Sequence, residues 1–395
     1  MAAASPTTTL AAAGIQQPHP LKGIVNSNDD PTRCARCSAF MQDVGEVFLG
    51  DCCGRGVCKS CADIEAELKH CPHCKVSMRG AAKEFAACLK KHSKKGHPWA
   101  QARLAKLYNE GDDIRQSLSE ALHWNRQAAK RGHPTAMTVL GKCSLSGGLG
   151  CPVDLRQAQE YFEAGLKASK ASYSYCYEDC QEGLVEVAKR HYEAEAFEKA
   201  RAILLPLAEE GLGEAQVLLG HVLLDCEGGV TGGISYSEAH KKYSAALPWF
   251  SSAAFALEDE KAAVGNAEYG AMCCCQFLHK HAQAKFWARI VKKNLRHPEV
   301  EDESRVERVK GLVCLQRELR ALRDICGGCG AEFEGKERKF CRACRAYCYC
   351  SRECQKMHWN RKEDGHREDC KGASELKQKM KEKKKEEAIE ASESK

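Results

Sequence analysis

The feature that most constrains this chain is a set of paired metal-ligating side chains near its C-terminal end. The pairs are Cys326/Cys329, Cys341/Cys344, Cys350/Cys354 and His366/Cys370. Both members of each pair stand close enough in sequence to bind one ion, and four such pairs supply the ligands that two tetrahedral zinc ions require. The spacing therefore predicts two Zn²⁺ ions in a small module over residues 326–370.

The residues around these pairs carry a more specific resemblance. Tyr349 precedes the third pair, Gln355 follows it, and the dipeptide His358-Trp359 comes next. With the order of the pairs, these residues resemble a MYND zinc finger. The resemblance implies a protein-interaction module that receives short proline-containing peptides, with Gln355 and Trp359 as the peptide contacts. Their separation of four positions places them on one face of a helix.

Two assignments in this segment have alternatives. The histidine ligand is either His358 or His366, and His366 is favoured because the spacing His-x3-Cys puts it and Cys370 on one helical face. Residues 361–364 resemble an insertion, and they lengthen the connection to His366. Trp359 either contacts peptide or packs against the finger's own core.

A second cysteine-rich segment lies near the N-terminal end. Its four pairs are Cys34/Cys37, Cys52/Cys53, Cys58/Cys61 and Cys71/Cys74. The sequence CCGRGVC, followed by KSC and CPHC, resembles a RING finger, which implies two more zinc ions. In that family pairs one and three hold one ion, and pairs two and four hold the other. His70 or His73 could replace one of the adjacent cysteines Cys52 and Cys53.

The RING resemblance also implies an activity, the transfer of ubiquitin from a bound ubiquitin-conjugating enzyme. Pro72 and Lys75 stand where active RING fingers place a proline and a basic residue, and Ile64 could add an apolar contact to the conjugating enzyme. Arg36 opposes the activity, because that position is normally aliphatic and its charge would have to be desolvated on docking. A non-catalytic binding finger is the alternative.

Between the cysteine-rich segments the sequence repeats itself. His97-Pro98-x-Ala100 recurs as His133-Pro134-x-Ala136, a shift of 36 residues from position 97 to position 133. Periods of this size predict stacked helical hairpins. Less regular copies begin near Gly213 and Gly265. The pattern resembles Sel1-like repeats, relatives of the tetratricopeptide repeat, and this implies an α-solenoid with a protein-binding surface.

Local signals within the repeats predict helix starts and buried positions. Ser117, with Glu120 three residues later, predicts a capped helix start, and Asp154 predicts another. Cys273, Cys274 and Cys275 cannot converge on one ion, because successive side chains on a helix point about 100° apart. We therefore predict that they are buried packing residues.

Composition restricts the class of protein. The chain is 29% charged and 43% hydrophobic, as expected for a soluble globular protein. Its net charge of +6 is spread along 395 residues, so nucleic acid is not an expected partner. The sequence contains no run of eighteen or more apolar residues, so a membrane span is not expected. Thiolate pairs without an export signal favour the reducing cytoplasm or nucleus.

The predicted fold class is mainly α, an α-solenoid of Sel1-like helical hairpins flanked by two small cross-braced zinc-finger modules. The predicted segments are a disordered leader at 1–30, a RING-like finger at 31–80, repeats at 83–323, a MYND finger at 326–370 and a charged flexible tail at 371–395. The predicted function is a zinc-binding interaction scaffold, with a RING-type E3 ubiquitin ligase as the alternative. No SET-like motif is present, so a SET methyltransferase is not expected.

Overall fold

The computed structural model describes residues 47–49, 56–58, 82–111, 114–172, 176–225, 235–256, 261–295, 304–333, 337–361 and 365–393. The chain divides into two compact units, Met1–Val187 and Ala188–Lys395. Almost all of the described elements are helices, which confirms the mainly α fold class.

The helices and strands follow in chain order. They are β1 (Val47–Leu49), β2 (Gly56–Cys58), α1 (Ala82–Lys94), α2 (Pro98–Glu110), α3 (Leu118–Lys130), α4 (Pro134–Ser146), α5 (Leu155–Ser172), α6 (Cys176–Glu193), α7 (Phe197–Glu209), α8 (Gly213–Asp225), α9 (Tyr236–Ala256), α10 (Lys261–Phe277), α11 (His281–Asn294), α12 (Ser304–Ala321), β3 (Lys339–Phe340), β4 (Cys348–Tyr349), α13 (Arg352–Asn360) and α14 (His366–Glu393).

The N-terminal cysteine-rich segment is described only as a short hairpin. Strands β1 and β2 pair in antiparallel register, with Val47 opposite Cys58. Cys58 therefore lies in β2, whereas the other residues singled out in this segment lie outside the described residues. Those residues are Cys34, Arg36, Cys37, Cys52, Cys53, Cys61, Ile64, His70, Cys71, Pro72, His73, Cys74 and Lys75.

Successive helices of the first unit pack against each other from α1 to α5, as helical hairpins do. The predicted helix starts are confirmed. The side chain of Ser117 accepts a hydrogen bond from the backbone N–H of Glu120, and Asp154 accepts one from the N–H of Gln157 at 3.0 Å. Gly111 ends α2 in the left-handed conformation (φ 80°), which glycine adopts without strain.

A buried phenylalanine set against helix glycines recurs in both units. In the first unit the ring of Phe162 lies directly over Gly141, where an added Cβ would stand 2.8 Å from Cε1. In the second unit Phe250 lies over Gly220 and Gly270. Both phenylalanines are fully buried. The glycines of the repeat therefore serve close helix approach, because any larger residue would collide with the ring.

In the second unit α7 to α12 pack in sequence around a core that includes Phe250, Trp287 and Met272. Cys274 and Cys275 are fully buried in this core, and Cys273 is half-buried, so the prediction that the cysteine run serves packing is confirmed. Burial raises the pKa of Cys273 to about 11, which keeps its thiol protonated.

The segment expected to be a flexible tail is helical. Helix α14 continues through Glu393, and it packs against α11. Leu376 and Met380, four positions apart, contact the core of the second unit, and Lys383 Nζ donates a hydrogen bond to the carbonyl of Phe255. Although most of α14 consists of lysines and glutamates, the apolar face formed by these two residues packs the helix against the second unit. None of the helices described here combines the length and apolarity needed to cross a bilayer.

Candidate metal centre

The C-terminal ligand residues gather into two groups of four. One group contains Cys326, Cys329, Cys350 and Cys354, and the other contains Cys341, Cys344, His366 and Cys370. Within each group the ligand atoms all lie within 4.8 Å of one another. Each group could therefore hold one metal ion. Pairs one and three share a group, as do pairs two and four, so the segment is cross-braced.

Short secondary structures bring these pairs together. The first pair lies in the turn after α12, which closes through a hydrogen bond from Gly330 N–H to the Cys326 carbonyl. Strand β3 pairs with β4, which places Phe340 opposite Cys348 just before the second and third pairs. Ser351 then caps α13, its hydroxyl accepting a bond from the Cys354 N–H at 3.2 Å. The fourth pair lies at the start of α14, with His366 as its first residue and Cys370 one turn later.

In the first group the sulfur atoms are close and partly exposed. Cys350 Sγ lies 3.8 Å from Cys329 Sγ and 3.5 Å from Cys354 Sγ. Burial opposes ionisation of Cys326, but backbone hydrogen bonds from Cys329, Cys350 and Gly328 lower its pKa to about 6. The thiolate, which is the metal-binding form, is thus favoured at neutral pH.

The second group is fully buried. Cys344 Sγ lies 3.2 Å from His366 Nε2, and Cys341 Sγ lies 3.9 Å from Cys370 Sγ. A hydrogen bond from Cys344 lowers the pKa of Cys341 to well below its usual range, despite the opposing effect of burial. Three sulfur atoms and one imidazole nitrogen therefore face one another in a buried site.

The hydroxyl of Tyr349 lies between the two candidate histidines. It is 2.8 Å from His366 Nδ1 and 3.0 Å from His358 Nδ1. His366, and not His358, has its other nitrogen among the cysteines. When His366 Nε2 binds metal, Nδ1 carries the proton and donates to Tyr349, which in turn donates to His358. Tyr349, the residue before the third pair, is therefore the position in the sequence that indicates a hydrogen bond to the histidine ligand.

A carboxylate beside the last candidate ligand joins this segment to helix α11. Asp369 accepts hydrogen bonds from the backbone N–H groups of Ala282 at 2.7 Å and Gln283 at 3.0 Å, which open helix α11. The hydroxyl of Tyr347 donates a third bond to it at 2.9 Å. Burial raises the pKa of Asp369. Its role was not predicted, because no local sequence signal links it to α11.

The predicted peptide contacts lie on α13. Gln355 and Trp359 are both half-buried. Trp359 packs against the core of this C-terminal segment, and its indole ring meets the His366 imidazole edge-on with centroids 5.4 Å apart. The tryptophan thus contacts its own core, as one interpretation predicted, while part of it stays accessible.

The additional thiol beside the third pair has a structural partner. Cys348 belongs to neither group, and its Sγ lies 3.4 Å from the Arg323 carbonyl and 3.5 Å from the Leu322 carbonyl. These carbonyls follow the end of α12, so the thiol serves as a weak donor to the C-terminal end of a helix. Burial raises its pKa.

Comparisons with known proteins identify the repeats. The family model described as Sel1 repeat matches residues 100–133 and 134–169, which are the hairpins α2–α3 and α4–α5. The Sel1 prediction is therefore confirmed for these hairpins. No curated protein matches the chain.

Two solved structures are similar to this chain. One is a Sel1 repeat protein from Oxalobacter formigenes, with 18% identity over 55% of this chain and 82% of that chain, and a TM-score of 0.37. The other is c5321, a protective antigen present in uropathogenic Escherichia coli strains and displaying an SLR fold, with 16% identity over 62% of this chain and 80% of that chain, and a TM-score of 0.23.

Proposed function

We propose that this protein is a zinc-dependent interaction scaffold, in which the Sel1 repeats and a C-terminal MYND-like finger bind protein partners. The observation that supports it most is the gathering of all eight C-terminal ligand residues into two groups of four. Stacked helical repeats add extended surfaces of the kind that bind proteins.

The donor sets fit zinc in a structural role. One group offers four thiolates, and the other offers three thiolates and an imidazole, which are ligand sets of closed tetrahedral zinc sites. Thiolates exclude the hard cations Mg²⁺ and Ca²⁺. With four protein ligands on each ion no coordination position stays open for a substrate. The finger is therefore a binding module, and the ions hold its short strands and helices together.

The proposed peptide site is the face of α13 that carries Gln355 and Trp359. The indole offers a large, rigid apolar contact, and the amide beside it offers hydrogen bonds to a peptide backbone. Met357 lies on the same helix between them and points elsewhere, with 52% of its surface exposed. It provides a matched control.

Binding of a library of labelled proline-containing peptides, followed by fluorescence polarisation, tests this site. We expect Gln355→Ala and Trp359→Ala to weaken binding by tenfold or more, and Met357→Ala to leave it unchanged. Zinc content is measured for each variant, because Trp359 also packs on the finger core. Equal peptide affinity in all three zinc-loaded variants contradicts the proposal.

The alternative function is a RING-type E3 ubiquitin ligase, with the repeats or the finger as substrate receptor. Pro72 and Lys75 support it, and the β1–β2 hairpin that contains Cys58 is compatible with a small cross-braced module. The test is discharge of ubiquitin from a panel of charged conjugating enzymes by the full chain. Discharge that is lost in Cys58→Ser favours the ligase, and no discharge by the zinc-loaded protein favours the scaffold.

A further inference from the structure

A third group of ligating side chains lies where the repeats meet the finger. It consists of His279, His281 and Glu318, whose ligand atoms lie within 4.8 Å of one another. His279 lies in the turn between α10 and α11, His281 opens α11, and Glu318 lies on α12. We propose that these three residues bind a further Zn²⁺ ion, separate from the two cysteine groups.

The carboxylate is oriented toward the imidazole. Gln276 Nε2 donates a 2.7 Å hydrogen bond to Glu318 Oε2, and Glu318 Oε1 lies 3.4 Å from His281 Nδ1. His281 is only 6% exposed, and its Nδ1 has no hydrogen-bond partner among the residues that the structure describes. A buried polar atom that makes no hydrogen bond destabilises the fold. A metal ion bound by Nδ1 removes that cost.

The turn itself does not require histidine. A turn with the same backbone conformation joins α6 to α7. Glu195 in that turn has φ 55°, and His279 in the α10–α11 turn has φ 54°. In both turns the next N–H reaches back five residues at 2.8 Å, from Ala196 to the His191 carbonyl and from Lys280 to the Cys275 carbonyl. The earlier turn places a glutamate and a phenylalanine where this one has its two histidines. The histidines therefore need a reason other than backbone geometry.

Two imidazoles and one carboxylate form a known zinc set, in which the protein leaves the fourth position open. Imidazole nitrogen selects zinc over Mg²⁺ and Ca²⁺. His279 is exposed, so solvent reaches the open position.

An ion at this place ties the α10–α11 turn to α12 beside the finger. The His281 ring meets the Tyr347 ring edge-on with centroids 5.8 Å apart. The Tyr347 hydroxyl donates to Asp369 at 2.9 Å and lies 3.3 Å from the His279 carbonyl oxygen. The third ion would therefore stiffen the same junction that Asp369 closes.

Calorimetric titration of the zinc-loaded full chain with further Zn²⁺ tests the proposal. We expect the wild-type protein to take up one ion more than either His279→Asn or Glu318→Gln. Asparagine accepts the left-handed backbone, and the carboxamide of glutamine keeps the shape of the glutamate carboxylate, so both variants are expected to fold. The exposed His123 provides a control, and His123→Asn is expected to take up as much zinc as the wild type.

Cobalt identifies which ligands hold the added ion. Co²⁺ titrated in place of the added Zn²⁺ is expected to bring no thiolate-to-metal charge-transfer absorption, because the third group contains no sulfur. Equal uptake by the wild type and both variants, or a thiolate absorption from the added ion, overturns the proposal. Equal uptake is also what a simple ion pair between His281 and Glu318 would give.

Discussion

The carboxylate of Asp369 accepts a 2.7 Å hydrogen bond from the backbone N–H of Ala282, 87 positions earlier in the chain. Helix α14, which carries two of the candidate ligands, thereby supplies a cap to helix α11, whose own preceding residue Lys280 supplies no side-chain cap. Because Asp369 directly precedes Cys370, the residue that joins α14 to α11 lies next to a candidate metal ligand.

Asp369→Ala is expected to lower the free energy of unfolding by about 1–2 kcal/mol, since two helix N–H groups and the Tyr347 hydroxyl lose their acceptor. Urea denaturation of the zinc-loaded protein measures the change. Glu368→Ala is the matched control, because its side chain is largely exposed one position earlier on the same helix. Equal stability of the two variants would show that the cap contributes nothing.

Tyr349→Phe is expected to weaken zinc binding in the second group about tenfold, because His366 loses the hydroxyl that accepts its Nδ1 proton. Competition with a chromogenic chelator measures the affinity. Tyr236→Phe removes a hydroxyl from an exposed ring elsewhere and is expected to have no effect. The idea fails if the chelator extracts zinc equally well from both variants.

Gly220→Ala is expected to destabilise the second unit by about 1–3 kcal/mol, because the new Cβ would stand 2.6 Å from the Phe250 ring. Phe250→Leu, combined with Gly220→Ala, should recover part of this loss, since leucine lacks the colliding ring edge. A double-mutant cycle from urea denaturation gives the coupling energy. Strictly additive effects would mean that the ring does not force glycine at this position.

The stability of the first unit is expected to fall in mild acid. Burial lowers the pKa of His133 in the folded protein from 6.5 to about 4. Between these pH values the unfolded chain binds the proton more strongly, so the free energy of unfolding decreases as the pH is lowered from about 6.5 to about 4.

Thermal denaturation at pH 7 and pH 5 measures this effect. His133→Gln should reduce the difference between the two melting temperatures, whereas His123→Gln, at an exposed histidine, should leave it unchanged. An unaltered pH dependence in His133→Gln would assign the acid sensitivity to other groups.

Interactions between residues close in sequence could be predicted without a structure. The caps at Ser117 and Asp154 involve a backbone N–H three positions away, so the sequence contains both partners. The same holds for candidate metal-ligand pairs such as Cys326/Cys329, and for the repeat period that the Sel1 match supports.

The tertiary structure decided the contacts between distant segments. It placed His366, and not His358, among the cysteines of the second group, and it joined Asp369 to Ala282. It also packed Leu376 and Met380 against the core of the second unit, and brought Glu318 close to His281. Sequence periodicity reports which face of an element is apolar, but not which other element covers that face. Local hydrogen bonding and ligand spacing are therefore encoded in short stretches of sequence, whereas the environment of a buried imidazole or carboxylate depends on which distant helices pack around it.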